Sequence, residues 1–159
     1  MMASKEAKAL KMIPKGFASW KFSVMDGSES VADVVDRGWW PGKAKLTIQG
    51  ATYKAYRERA MSGAFVLESA AGVLARAEKP SALRRSFVIE HSGRRYTLRA
   101  ESALRRELLL FDDSKHIGSL SPEGAFTRRA TVNLPREWAL PVRVFVVWLA
   151  VMLWNASDH

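Results

Sequence analysis

The sequence predicts a mainly β protein: a closed antiparallel β-barrel of roughly twelve short strands wrapped around a buried hydrophobic C-terminal α-helix. Three observations predict this fold. Short apolar segments alternate with turn residues along most of the chain. Residues 81–100 and 102–121 form a tandem repeat with the pattern of two successive hairpins. Residues 144–154 then carry no charged or strongly polar side chain, so a helix there would be apolar on every face.

Composition and charge indicate a globular protein with an anionic partner. The 159 residues suit one domain with a sizeable core, since 48% are hydrophobic and 26% are charged. The formal net charge of +9 favours nucleic acid or an anionic membrane surface as a partner, unless the charge serves only solubility. The chain has no cysteine, which excludes disulfides and thiolate chemistry. No secretory signal is recognisable, so we expect a cytoplasmic protein that can sit peripherally at the membrane.

The N-terminal part predicts a leader followed by two strands. Residues 1–16 have the composition of a flexible basic leader, and residues 17–159 are expected to form one barrel domain. Residues 17–24 alternate apolar and polar side chains as a strand does, and residues 31–35 form the next strand. The core-facing residues of the first strand are expected to be Ala18, Trp20, Phe22 and Val24.

Two adjacent tryptophans interrupt the pattern after the second strand. Trp39 and Trp40 lie between Gly38 and Pro41, which is an unusual place for aromatic residues. They are predicted to plug one end of the barrel. The alternative is an anchor at a membrane interface, where tryptophan is enriched.

Short strands then follow one another until the C-terminal helix. Their regular spacing is typical of an all-β barrel or sandwich, and closure of the sheet would remove exposed strand edges. The last strand is expected within residues 125–132, and residues 133–135 break the sheet before the helix. The strands before the repeat are expected at residues 45–49, 52–57, 64–69 and 73–77.

The tandem repeat predicts two consecutive hairpins of one sheet. Both units open with Ser-Ala-Leu-Arg-Arg and continue as an apolar strand, a polar turn and a second short strand. Two copies are too few for a solenoid, so a meander within a closed sheet fits better. The paired strands are expected at residues 87–90 with 96–99 and at residues 108–111 with 117–120.

The terminal helix is predicted at about residues 137–154. Pro141 suits a first helical turn, where its missing N–H is not needed. Residues 144–154 span roughly 16 Å, whereas a membrane crossing needs about 20 apolar residues. The helix is therefore expected inside the barrel, and a C-terminal membrane anchor is the alternative. The residues expected in the helix core are Val144, Phe145, Val147, Trp148, Val151 and Met152.

The repeat also predicts a basic patch. Equivalent positions of two successive hairpins lie two strands apart, about 10 Å at about 4.8 Å per strand. Arg84, Arg85, Arg105 and Arg106 would then form one surface, and a guanidinium group matches phosphate oxygens. The alternative is that these arginines are ordinary solvated strand residues. The residues expected to widen the patch are Arg94, Arg95, Arg99, Arg128 and Arg129.

No residue pattern predicts catalysis. The three histidines are scattered without metal-ligand spacing, and no serine lies in a nucleophile elbow. Asp112 and Asp113 lie in a polar segment, where adjacent acids usually form a turn. We therefore expect a non-enzymatic protein without catalytic residues, metal or cofactor. Nucleic acid remains an alternative partner from charge alone, although no known binding motif is present.

Three parts of the chain resemble a known superfamily. They are the strand series with Ser-Ala-Leu-Arg-Arg, the strand at 117–120, and the passage from Asn133 through Pro141 into the apolar segment. It comprises the tubby C-terminal domain, the plant LURP-one-related proteins and the phospholipid scramblases. The resemblance is one of pattern and covers most of the chain from Phe17 onward. The scramblase-like features of a cysteine-rich segment, a proline-rich segment and an acidic calcium loop are missing.

The resemblance implies a barrel threaded by its C-terminal helix and a role at membranes. Tubby domains bind phosphoinositide head groups through basic residues of the barrel wall, and scramblases are associated with phospholipid movement between leaflets. None of the tubby head-group residues can be assigned to a position in this chain. We therefore expect a module that binds anionic phospholipid, or a protein partner, at the membrane surface.

Overall fold

A computed structural model describes residues 9–15, 21–36, 43–59, 63–80, 85–102, 105–124 and 129–157. These residues form 12 strands followed by one helix. The elements are β1 (Leu10–Pro14), β2 (Lys21–Asp26), β3 (Glu29–Asp36), β4 (Lys43–Ile48), β5 (Ala51–Arg57), β6 (Ala64–Ser69), β7 (Gly72–Glu78), β8 (Ser86–His91), β9 (Arg94–Ala100), β10 (Leu108–Asp112), β11 (Lys115–Pro122), β12 (Ala130–Asn133) and α1 (Leu140–Ser157).

The strands form a closed antiparallel barrel, which confirms the predicted fold class. Each strand pairs with its neighbours in sequence, and β1 also pairs with β12 to close the sheet. The prediction of a flexible leader is therefore wrong for residues 10–14. Leu10 and Met12 alternate with Lys11 and enter the core, while pairing on both sides of β1 removes two sheet edges. Residues 1–8 lie outside the described residues.

The two ends of the barrel differ in their connections. Five two-residue turns lie at one end, which we call the turn end, and they include Gly27-Ser28 and Ser92-Gly93. Six connections of six or seven residues lie at the other end, which we call the loop end. Because antiparallel strands alternate in direction, every second connection returns to the same end. The barrel therefore has one tightly closed end and one end with longer segments.

The turn end follows from local sequence. Ser92 and Gly93 have φ angles of 52° and 75°, the left-handed geometry that suits the twist of a two-residue hairpin. In the register, His91 faces Arg94 and Asp112 faces Lys115. Both hairpins predicted from the tandem repeat are confirmed. Of the residues expected to face the core in the first predicted strand, Phe22 and Val24 are buried, while Ala18 and Trp20 lie outside the described residues.

The helix α1 enters the barrel at the turn end and runs toward the loop end. Residues 144–150 are 0% exposed, so protein already covers the apolar helix surface. Val144, Phe145, Val147 and Trp148 are confirmed as core residues, whereas Val151 and Met152 are only partly buried. A membrane anchor would require this segment to leave the barrel. No helix of the described ranges has the length and apolar character that a bilayer crossing demands.

Small side chains on the inner wall make room for the helix. Six inward positions on five strands are buried alanines: Ala32, Ala44, Ala55, Ala75, Ala77 and Ala130. Gly118 on β11 is more restrictive, because a Cβ atom there would lie 2.7 Å from the carbonyl oxygen of Asn133. That oxygen belongs to the segment that leaves β12 for the helix. The wall and the entry path of the helix are therefore in direct contact.

Candidate functional site at the loop end

Basic side chains are concentrated at the loop end. Six of them are exposed, and we call this set the basic rim: Lys15, Lys21, Lys43, Arg59, Arg105 and Arg129. The turn end has the opposite balance, with acidic residues in excess over basic ones. The described charged residues next to its turns and the helix entry are Asp26, Glu29, Asp112, Asp113 and Glu137 against Arg94, Lys115, Arg136 and Arg143.

Two carboxylates at the loop end bind residues of the barrel wall and offset only part of the rim charge. Glu58 accepts a hydrogen bond from Arg76 at 2.8 Å, which lowers the pKa of its carboxyl group. The hydrogen bond from Lys11 likewise lowers the pKa of Glu123. The nearby charges of Arg59 and Arg129 lower the pKa of Glu58 and Glu123 further, and Lys15 forms an ion pair with Asp33 at 3.1 Å. The positive charge in excess of these carboxylates is available to an external anion.

The tandem Ser-Ala-Leu-Arg-Arg segments meet at the loop end. Arg85 Nη2 donates to the carbonyl oxygen of Ser102 at 3.1 Å, and the amide of Ala100 donates to the carbonyl of Arg85 at 3.2 Å. These bonds join connection 79–85 to connection 101–107. Arg85, Arg105 and Arg106 therefore lie at one end of the barrel, as the repeat predicted. Arg84 lies outside the described residues.

The second arginine pair does not form a flat patch. Arg105 is exposed on the rim, whereas Arg106 is half-buried and its Nε atom is covered. Consecutive residues beside a strand point to opposite faces, so one arginine points outward and the next points inward. The prediction that both arginines share one surface is therefore wrong for this pair. The indole Nε1 of Trp154, near the C-terminus of α1, donates to the Arg106 carbonyl at 2.7 Å.

Two arginines predicted to widen the patch, Arg94 and Arg95, lie toward the turn end, so that prediction is wrong for them. Arg94 makes two hydrogen bonds of 2.9 Å to Asp112, which raise its pKa. Arg95 pairs with Glu90 at 2.9 Å. Arg99 is exposed near the loop end of β9, where it faces Ser86 in the register, and its guanidinium carbon lies 4.1 Å from the centroid of the Phe111 ring.

The strand order reveals a third arginine pair that the sequence reasoning did not connect with the repeat. Connection 123–129 ends in Arg128-Arg129, just as connection 79–85 ends in Arg84-Arg85. Arg129 is exposed on the rim, and Arg128 lies outside the described residues. Neither Arg105 nor Arg129 pairs with any carboxylate in the described part of the chain. The common Arg-Arg ending of the loops was the sequence signal for this relation.

Arg57 is a further basic residue that the sequence reasoning missed. It ends β5 on the same side as the buried Ala55, and its guanidinium carbon lies 5.2 Å from the centroid of the Phe65 ring. Phe65 in turn makes edge contacts with Phe87 at 5.6 Å and with Trp148 of the helix at 5.9 Å. Arg57 therefore points toward the interior of the barrel at the loop end. The alternation along β5 was the signal that could have identified it.

Arg57, Arg85 and Arg106 share this position, and we call them the mouth arginines. Each is half-buried and lies two residues along the chain from a fully buried or nearly fully buried side chain. These neighbours are Ala55, Phe87 and Leu108. The loop end thus has an outer ring of exposed basic residues and an inner group of arginines around the end of the helix.

The turn end is closed by an aromatic cluster. The ring of His91 stacks on Tyr96 at 5.0 Å and meets Trp138 edge-on at 4.2 Å. Burial lowers the pKa of His91. Burial also lowers the pKa of Arg143, which donates to the carbonyl of Trp138 at 3.0 Å. Trp39 and Trp40, which were predicted to plug one end of the barrel, lie outside the described residues.

The charges at the loop end suit binding of an anion better than metal chemistry. No group of His, Asp and Glu side chains suited to a metal ion is found within the described ranges. The chain matches no protein-family model, no curated protein and no solved structure. The function of this protein is therefore inferred from the geometry of the barrel alone.

Proposed function

We propose that this protein is a non-enzymatic module that binds anionic phospholipid surfaces through its loop end. The observation that carries the proposal is the one-sided arrangement of charge. Exposed basic side chains from separate connections collect around the loop end, while Arg94 and Arg95, toward the turn end, are paired with Asp112 and Glu90. The proposal includes peripheral attachment to a membrane and kinship with tubby-like barrels, which the helix inside the barrel supports. Phospholipid movement between leaflets is not part of it.

The charge at the rim is large enough to bind a membrane. A basic residue near an anionic leaflet contributes about 1 kcal/mol. If four rim residues reach the surface together, they contribute about 4 kcal/mol, or about a thousandfold in affinity. Such binding is screened by salt, because the Debye length is about 10 Å at 0.1 M and about 3 Å at 1 M. Binding should therefore need anionic lipid and weaken strongly at high ionic strength.

The layout of the loop end favours a lipid surface over nucleic acid. Proteins that bind single strands combine a basic groove with exposed aromatic side chains on which bases stack. Here the basic residues are spread around the loop end, and four of the described aromatic residues near it are buried: Phe65, Phe87, Trp148 and Trp154. Tyr56, which faces Lys43 in the register, is half-buried. The exposed large hydrophobic residues of the described chain are Val35, Val73 and Leu74, none of them aromatic. Nucleic acid binding is retained as an outcome of the test.

The test is flotation of the purified full-length chain with vesicles of neutral lipid or with added phosphatidylserine, at low and high salt. Arg105→Glu with Arg129→Glu changes the rim, and Lys54→Glu with Lys115→Glu makes the same change in net charge on the wall and at the turn end. Removing two rim contacts costs about 2 kcal/mol, so the rim variant should bind at least about 30-fold more weakly. The control variant should retain most binding.

Two results would contradict the proposal. Equal losses in both variants would mean that net charge, and not the loop end, determines binding. Failure of the unmodified protein to float with anionic vesicles, together with tight salt-sensitive binding to an oligonucleotide, would favour the nucleic acid alternative.

A further inference from the structure

Arg57 stands apart from the other mouth arginines in its contacts. Arg85 bonds the carbonyl of Ser102, and Arg106 holds the end of the helix through its own carbonyl. The Arg57 guanidinium lies beside the ring of Phe65 and forms no hydrogen bond or ion pair with a described residue. Its Nε atom is buried and has no hydrogen-bond partner there. Among the described residues, Arg57 is thus a half-buried cation without an acceptor.

The neighbouring carboxylate does not provide that acceptor. Glu58 follows Arg57 directly, but both of its oxygens accept hydrogen bonds from Arg76 on the outer wall, at 2.8 and 3.3 Å. Since adjacent residues of a strand point to opposite faces, Glu58 cannot turn inward without breaking this pair. A buried donor that lacks an acceptor destabilises the folded protein, and an oxyanion bound at that edge would remove the penalty.

We propose that the barrel mouth is a binding site for a phosphate monoester group, with Arg57 as its principal ligand. This inference rests on the proposed function and specifies which head-group chemistry the loop end selects. The guanidinium carbon lies 5.2 Å from the centroid of the Phe65 ring, and its N–H donors make no hydrogen bond with a described residue, so they could bond phosphate oxygens. Arg85 and Arg106 add positive charge around the same opening.

The chemistry favours a monoester over a diester or a carboxylate. A phosphate monoester carries about −1.5 to −2 charges at neutral pH and three terminal oxygens, whereas a diester carries one charge. Three arginines around one opening match the greater charge. The C-terminus of α1 carries a partial negative charge, which disfavours an anion directly over the helix axis. The phosphate group is therefore expected to bind to one side of the helix axis, near β5 and β6, where Arg57 lies.

The first measurement uses the full chain and soluble probes. Thermal unfolding is followed with inorganic phosphate, glycerol 3-phosphate and, at matched ionic strength, chloride. The variants are Arg57→Gln, Arg57→Lys and the matched control Lys54→Gln, an exposed residue of the same strand. Glycerol 3-phosphate should raise the unfolding midpoint of the unmodified protein and of Lys54→Gln. Arg57→Gln should need at least about tenfold more ligand for the same rise, because a bidentate charged contact is lost.

A second readout separates a binding role from a structural one. Without ligand, Arg57→Gln should unfold at the same temperature as the unmodified protein or higher, because it removes a buried donor without a partner. Arg57→Lys keeps the charge but not the planar fork, and it should also bind phosphate more weakly. If either variant responds to glycerol 3-phosphate as the unmodified protein does, the assignment of Arg57 is overturned. If Arg57→Gln does not fold, Arg57→Lys alone decides the question.

Vesicles distinguish a lipid source from a soluble one. At matched surface charge, the protein should bind vesicles with phosphatidic acid, a monoester, more tightly than vesicles with phosphatidylserine, and Arg57→Gln should lose this preference. If anionic vesicles bind but no phosphate compound shifts unfolding and no preference is seen, the inference falls while the proposed function stands. If soluble phosphate esters bind and no vesicle does, the membrane function falls and the mouth site stands for a soluble ester.

Discussion

Replacement of Gly118 by alanine tests how the helix is held in the barrel. Gly118 lies on the inner side of β11, beside the point where the chain leaves β12. The added Cβ would lie 2.7 Å from the carbonyl oxygen of Asn133 and 3.4 Å from the Cα of Leu134. Both neighbours are backbone atoms, so no side-chain rotation can relieve the contact. The segment that carries Trp138 and the helix must move instead.

The expected loss is moderate. Overpacking in a close-packed interior costs about 1 to 3 kcal/mol, and replacing a strand glycine with alanine recovers about 0.5 to 1 kcal/mol of backbone entropy. The net loss in the free energy of unfolding is therefore at most about 2.5 kcal/mol, with a midpoint of about 1.3 kcal/mol. For a domain of this size, the midpoint lowers the unfolding temperature by roughly 3 to 5 °C. Urea unfolding followed by circular dichroism measures it as a lower midpoint with an unchanged slope.

Ser119→Ala is the matched control, since Ser119 is the next residue of β11 and points to the outer face. It should change the free energy of unfolding by less than about 0.5 kcal/mol. If Gly118→Ala is as stable as the unmodified protein, the segment that leaves β12 does not approach the inner face of β11 closely enough to contact the added Cβ. A changed slope in urea would instead mean that the variant alters the compactness of one state, and the packing argument would not apply.

Three further substitutions examine other contacts. His91→Phe should remove the loss of stability that the unmodified protein shows as the pH falls below about 6.5, measured as unfolding temperature against pH. Trp154→Phe should destabilise by about 1 to 3 kcal/mol in urea, because the Arg106 carbonyl loses its donor. Phe65→Leu should cost about 1 to 2 kcal/mol by the same assay, since contacts with Phe87 and Trp148 are lost.

The direction in which stability changes with pH follows from the burial of His91. Burial lowers its pKa in the folded state, so near and below pH 6.5 the unfolded chain binds more protons than the folded chain. The stability that the neutral ring contributes is fully present above the pKa of His91 in the unfolded chain. It decreases as the pH falls from that pKa toward the lower pKa of the folded state. His116, which is exposed, provides the control as His116→Asn. An unchanged pH profile in His91→Phe would contradict the assignment, as would unchanged stability for Trp154→Phe or Phe65→Leu.

The sequence was sufficient for the fold because the relevant signals are local. An apolar run without a polar face predicts enclosure of a helix, and turn residues between alternating segments predict hairpins. β1 was missed because it is short, carries Lys11 and ends in Pro14, so its two buried residues resemble no strand in isolation. Its pairing with β12 is a contact between the two ends of the chain, and local patterns do not report such contacts.

The candidate site was less predictable, since its residues depend on the number and direction of all strands. Whether Arg94 and Arg105 lie at the same end can be known only after every strand between them has been assigned. The structure places Arg85 and Arg105 at the same end of the barrel, but Arg105 is exposed and Arg85 is half-buried. The sequence reasoning assigned adjacent arginines to one face, although consecutive residues of a strand point to opposite faces. Arg57 has no sequence motif, and its inward position becomes evident only beside the buried Ala55 and Phe65.

The charges of the two ends complement the dipole of the enclosed helix, but that effect is too small to explain the rim. A helix carries roughly half an elementary charge at each end, negative at the C-terminus, which α1 directs to the loop end. One well-placed cation, such as Arg106, balances that charge. Further basic residues at the same end repel one another and destabilise the compact barrel. Positive charge beyond what the helix dipole requires lowers the stability of the barrel. Such an excess is expected where an external anion supplies the compensating charge, and the ligand is therefore expected at the loop end.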